Sequence, residues 1–237
     1  MSTTPRERPI LFSGPMVRAI LEGRKTQTRR VAKPQPPIDA EAVGANSYEG
    51  PEGPAWFWWK GNRDERKFWP PTTGGANSIH CPFGQPGDRL WARETWMPKS
   101  WSAEGGWGEI EYAADGAARQ VEGDWSFSQA YPSSRPVTAW RPSIHMPRWA
   151  SRITLEITRV RVERVQDITE ADAIAEGVTV ATLGNAGWLG PDAPEGAGYS
   201  YVPRGFAATW DDINGPRGHG WSVNPWVWVI DFERIKP

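Results

Sequence analysis

The chain of 237 residues contains a single cysteine, Cys81, and three scattered histidines, His80, His145 and His219. One cysteine excludes an internal disulfide and a thiolate metal cluster. The adjacent His80 and Cys81 supply two ligands where a zinc site needs three or four. No metal and no other cofactor is therefore expected. Long apolar runs are also missing, with nothing near the ~20 residues of a membrane helix. The first residues, MSTTPRERP, lack the apolar core of a secretory signal. A cytoplasmic protein with no membrane contact is expected. Excess positive charge is absent too: 27 Lys and Arg stand against 28 Asp and Glu. A protein that grips duplex DNA through many phosphates is strongly basic. Any nucleic-acid contact here is expected to be local, or directed at a nucleoside or nucleotide.

Tryptophan, proline and glycine are abundant, with 16, 23 and 25 copies. Pro/Gly/Trp-rich stretches at approximately 33–87, 98–142 and 179–204 show no sustained period, apart from a weak hairpin pattern around GEIEYAA. They read as insertions in one domain covering 1–237. The segments between them are periodic. Ile10–Phe12 predicts a strand, and Ser13-Gly14-Pro15 starts a helix whose apolar face is Met16, Val17, Ile20 and Leu21. Gly23 ends it, and KTQTRRV reads as extended. GDRLWARETW predicts a strand with Leu90, Ala92, Glu94 and Trp96 on one face and Trp91, Arg93 and Thr95 on the other. Ile153, Leu155 and Ile157 alternate cleanly, but the phase slips before Val160 and again before Val165. Such slips mark a bulge or bend of the kind a small closed barrel needs. Thr169 caps a short helix with Asp172 at the capping-box position and Gly177 as terminator. GFAATWDDING reads as helix and NPWVWVIDFERI as a final strand. The fold class is α+β: a small barrel with flanking short helices and long insertions.

The stretch GRKTQTRR, residues 23–30, packs four cations and two threonines into eight positions. By residue type alone it is a solvated basic edge, a phosphate reader or a reaction site. Glu176 is the last residue before Gly177, at the negative end of its helix, where a carboxylate is disfavoured by about 0.3–1 kcal/mol. A cation partner or a bound proton would relieve that placement.

Four blocks, FSGPMVRAILEGRKTQTRR, GDRLWARETW, SIHMPRWASRITLEITRVRVERVQDITEADAIAEGV and NPWVWVIDFERI, together resemble the ASCH domain, a PUA-like barrel, in the long tryptophan-rich form carried by phages and prophages. They cover 77 of the 237 residues, about a third of the chain. The resemblance implies roles around RNA or modified nucleotides. It also implies a site similar to that of a small bacterial amidohydrolase that deacetylates 4-acetylcytidine. That pattern, a lysine, a threonine three residues on and a helix glutamate, falls on Lys25, Thr28 and Glu176. The implied roles are base, nucleophile and proton shuttle.

A threonine hydroxyl needs a base beside it, and lysine serves as one only when burial or neighbouring cations lower its pKa. Lys25 and Thr28 converge only if the chain bends after Gly23. Arg24, Thr26 and Arg30 are candidate substrate contacts, and Arg29 is equally suited to bidentate contact with phosphate or carbonyl oxygens. Trp91, Arg93, Glu94, Trp96 and Arg152 are further candidates, an indole being able to stack on a pyrimidine. The expected partner is a modified nucleoside or nucleotide, or RNA or another single strand, and a monomer is expected. The alternatives are a non-catalytic RNA or modified-nucleotide reader using the same pocket, and a phage interaction protein with a tryptophan surface.

Overall fold

A computed structural model describes residues 4–36, 40–45, 56–59, 67–68, 80–101, 106–123, 139–178 and 201–235. In chain order the elements begin with β1 (Glu7–Leu11), α1 (Gly14–Leu21), β2 (Gln27–Val31), β3 (Ala42–Ala45), β4 (Trp56–Trp59) and β5 (Lys67–Phe68). Then come β6 (Arg89–Arg93), β7 (Trp96–Trp101), β8 (Gly106–Tyr112), β9 (Ala118–Gly123) and β10 (Thr154–Arg164). The helices α2 (Glu170–Ala175) and α3 (Tyr201–Asn214) precede β11 (Trp226–Ile235). The class is mixed α+β, mostly strand. No described helix is long and apolar enough to cross a membrane.

The chain divides into two compact units built from interleaved segments. The first takes Arg24–Gly87 and Ile157–Glu233, with Met1–Thr4. In it β11 lies between β10 and β2, and pairs antiparallel with β2 in the register Val229↔Arg29 and Ile230↔Thr28. Val227 and Val229 of β11 pack with Val165, Ile168, Ala173, Phe206 and Trp210, so α2 and α3 cover one face of this sheet. On the alternate face of β11, Trp228 meets Trp56 edge-on at 5.1 Å. Trp56 belongs to a three-stranded sheet, β3-β4-β5. The 33–87 stretch therefore contains strands that its Pro and Gly content concealed. The clue was the alternation in AWFWWK, where Trp56 and Trp58 are buried.

The second unit takes Pro5–Gly23, Asp88–Glu156 and Arg234–Pro237. Here β1 pairs parallel with β6, and β6 antiparallel with Thr154–Glu156 of β10. Pro15 opens α1, which buries Val17, Ala19 and Ile20. The meander β7-β8-β9 packs on a core of Trp96, Ile110, Tyr112, Val121, Met146 and Ala150. Trp149 lies against that core and against the backbone of Gly123, where an added Cβ would come within 2.4 Å of the indole. The expected single strand over GDRLWARETW is broken at Glu94 and Thr95 into β6 and β7. The phase slip of β10 is present: Leu155 and Ile157 are buried, then Val162. It follows the point, after Glu156, where the strand passes from one unit to the other.

Closure into the expected barrel is not confirmed. No sheet of described residues closes on itself, and β1 and β2 are edge strands. The Thr26 N–H, just before the strand, donates to Ala175 O of α2 at 2.8 Å instead of to another strand. The expected insertion at 179–204 lies almost wholly outside the described residues, which resume at Tyr201.

Candidate active site

The site begins with a turn. Gly23 has φ +76°, a left-handed conformation in which a side chain is strained. Two residues later Lys25 is only 2 % exposed. Its Nζ donates to Glu176 Oε2 at 2.6 Å and to the Glu176 carbonyl at 2.9 Å. Glu176 is the C-cap of α2, so that carbonyl is one of the acceptors a helix end leaves without an internal partner. Lys25 thus relieves both the orphan carbonyl and the unfavourable carboxylate at the helix's negative end.

Burial dominates the ionisation of Lys25 and pushes it below the ordinary lysine value. The charge and hydrogen bond of Glu176 oppose that shift, while Arg30 and Arg29 add to it. The second carboxylate oxygen, Glu176 Oε1, is buried and has no hydrogen bond; Arg29 Nη1 stands 3.6 Å away.

Alternation along β2 puts Gln27 and Arg29 on one face and Thr28 and Arg30 on the other. Thr28 is buried opposite Ile230. Arg30 is partly exposed; burial lowers its pKa, with attraction from Glu176 opposing and repulsion from Arg217 reinforcing. On the other face Arg29 is held by Glu163 at 3.2 Å and Asp172 at 3.3 Å, and donates to Gln27 Oε1. Gln27 Nε2 donates to Asp172 at 3.0 Å and Asp231 at 2.6 Å. Arg161 closes the network, reaching Asp172 and Asp231 at 2.7 Å each and pairing with Glu163. Asp172 also completes the capping box with Thr169. Burial works against the charge on Asp172, but hydrogen bonds from Gln27 and Thr169 outweigh it and hold the carboxyl well below its usual range.

Of the residues singled out by sequence, Lys25 and Glu176 are in contact. Arg24 donates to the Gly177 carbonyl at 3.4 Å, in the open. Thr26 has an exposed side chain and acts through its backbone: its N–H meets Ala175 O and its carbonyl accepts from Phe232. Trp91, Arg93, Glu94, Trp96 and Arg152 belong to the second unit. There Trp96 is core, 1 % exposed. Arg152 forks onto Glu94 at 2.8 and 2.9 Å and onto Asp115 at 2.8 and 2.9 Å, with Tyr112 stacked beneath it at 4.0 Å. These contacts hold Glu94 and Arg152 together as a buried, fully bonded pair. Arg93 lies over Trp91 at 4.7 Å.

The sequence reading did not join Gln27, Arg29, Arg161, Glu163, Asp172 and Asp231 into one network. The available signal was the two-residue spacing of Gln27 and Arg29, which puts both on one face of β2. Their acidic partners come from sequence-distant elements, so nothing local connects them. Comparison of the chain with known protein families, with curated proteins and with solved structures found no match in any of the three.

Proposed function

We propose that the chain is an ASCH-type, PUA-like amidohydrolase that removes an acyl group from the exocyclic amine of a modified cytosine nucleoside or nucleotide. The observation that supports this reading is the buried 2.6 Å contact between Lys25 and Glu176, with the lysine held below its ordinary pKa. Neutral Lys25 takes the Oγ1 proton of Thr28 as that oxygen adds to the acyl carbon. The C–N bond of the tetrahedral adduct then breaks. The departing amine receives the proton through Lys25 and Glu176. Water attacks the acyl-threonine ester, gives its proton to the same base, and releases the carboxylic acid with Thr28 restored. Glu176 Oε1, buried without a hydrogen bond, offers an acceptor to the amide N–H of such a substrate. Arg30 shares the face of Thr28 by alternation and is the candidate for the oxyanion.

The test is turnover of 4-acetylcytidine, its deoxy form and longer-acyl relatives, followed by mass spectrometry. Wild type is expected to release the free amine. Lys25→Ala and Thr28→Ala should each lose about 10²–10⁴-fold in rate while remaining folded. Because Lys25 must be neutral, kcat/KM should rise with pH through a midpoint below the ordinary lysine value. Folded wild-type protein that binds these compounds without turning any over would replace the enzyme with a reader using the same residues.

A further inference from the structure

Arg29 is a buried cation of the first unit to which the proposed chemistry gives no part. Its side chain is 0 % exposed. It stands on the face of β2 that meets the helices, in register with Val229, and its guanidinium lies over the Phe206 ring at 5.9 Å. A guanidinium taken out of water is costly unless carboxylates surround it. Here they come from two elements: Glu163 of β10 at 3.2 Å and Asp172 of α2 at 3.3 Å, while Gln27 Oε1 accepts from Nη1. Those partners are themselves held. Arg161 pairs with both carboxylates, and Gln27 is anchored on Asp172 and Asp231. The network therefore fixes where the guanidinium lies.

That position bears on the Lys25–Glu176 pair. Arg29 Nη1 stands 3.6 Å from Glu176 Oε1. This is longer than a hydrogen bond, yet close for two opposite charges in a buried setting. A purely structural cation is placed to bond fully, as Arg152 is. Arg29 instead keeps a buried Nε without an acceptor and stops just short of Oε1, which also has no hydrogen bond. The guanidinium thus attracts the carboxylate without filling the acceptor positions of Oε1, and leaves Oε2 to Lys25 Nζ at 2.6 Å. Its charge acts on Lys25 as well: Arg29 and Arg30 oppose a proton there, and Glu176 favours one. The other charged groups around this cluster are Asp172, Glu163, Arg161 and Asp231, with Arg217 acting on Arg30.

We propose that Arg29 is a positioning residue for this pair: clamped by Glu163, Asp172 and Gln27, it steers the Glu176 carboxylate towards Lys25 and, as a fixed neighbouring charge, keeps the lysine available as a base. The proposal rests on the reading of Lys25 as a base, and it assigns Arg29 no contact with substrate.

The test is a pH titration of the full chain carrying isotope-labelled lysine, followed by NMR at Cε, with Lys25 assigned by the signal missing from Lys25→Ala. Arg29→Gln removes the cation, and the Lys25 midpoint should move up. Glu163→Gln removes one of the carboxylates that offset that cation, and the midpoint should move down, by less. Arg29→Lys restores the charge and should restore most of the wild-type midpoint. A merely structural network predicts otherwise: either neutral variant would loosen the site, admit water and move the midpoint up. With 4-acetylcytidine as substrate, Arg29→Gln should lower kcat/KM on the order of tenfold at neutral pH, the deficit shrinking as pH rises. Where circular dichroism shows Arg29→Gln to be unfolded, Glu163→Gln alone carries the test. An unmoved midpoint in folded Arg29→Gln, or a midpoint that fails to fall in Glu163→Gln, overturns the proposal. Opposite shifts in a protein whose wild type turns over no acylated cytidine would uphold the role of Arg29 and remove the amidohydrolase reading instead.

Discussion

Each unit buries an acid–base pair, and the two pairs are built on different terms. Glu94 and Arg152 meet fork to fork, both carboxylate oxygens are bonded, Asp115 takes the remaining guanidinium edge, and an aromatic ring closes one face. Burial raises the pKa of Glu94 even against the arginine beside it. The arginine itself is driven further into its charged state by its two carboxylates, despite burial. Lys25 and Glu176 meet through one carboxylate oxygen; the other has no hydrogen bond, and the cation is pushed towards neutrality. Saturated hydrogen bonding makes the first pair a lock. The second pair keeps one buried carboxylate oxygen without a hydrogen bond and a lysine below its ordinary pKa, the two features the proposed proton transfer draws on.

The largest expected effect separates the two pairs by readout. Arg152→Ala leaves Glu94 and Asp115 without their partner. It should destabilise the protein by about 3–5 kcal/mol in denaturant melts. Lys25→Ala should destabilise by less than half of that, because Arg29 still stands 3.6 Å from Glu176, while removing turnover. Equal destabilisation by the two variants would end the distinction drawn here.

A smaller effect is expected at Gly123. Its Cα hydrogens face the Trp149 indole, so Gly123→Ala forces that ring off the core that supports Arg152. A loss of about 1–3 kcal/mol is expected for such overpacking. Recovery in the Gly123→Ala/Trp149→Leu double variant would show that the indole is the cause.

The smallest effect is a matter of slope. The folded-state pKa of Asp172 is depressed, so its contribution is full above the unfolded value and disappears as pH falls through the folded one. Wild type should therefore lose stability between about pH 5 and about pH 2 more steeply than Asp172→Asn does. Identical acid limbs in thermal melts would remove Asp172 from the network's electrostatics.

How much of this was legible in the sequence follows from how local each signal is. The N-cap of α2 was readable because Thr169 and Asp172 lie within one turn and satisfy each other. Lys25 and Glu176 were named separately, one from a cationic cluster and one from an awkward helix position. Their 151-residue separation hides the contact from any local pattern. The break between β6 and β7 was invisible because the alternation of Leu90, Ala92, Glu94 and Trp96, all buried, runs straight through it. The sheet in 33–87 was masked by its glycines and prolines, although alternate burial of Trp56 and Trp58 follows the two-residue period of a strand.

The capping box and the Lys25 contact bracket a helix only six residues long. Each residue of an α-helix advances about 1.5 Å and turns about 100°. Asp172 fixes where α2 starts, and Glu176 stands where the count runs out. The helix is thus a spacer block, cut to one length. One residue inserted between Asp172 and Glu176 would carry the carboxylate ~1.5 Å onward and ~100° round the axis, away from the lysine, with every side chain of the pair still present. Exposed residues of α2 such as Glu170 and Ala171 touch neither contact, whereas a change in the helix's residue count would move the carboxylate off the lysine.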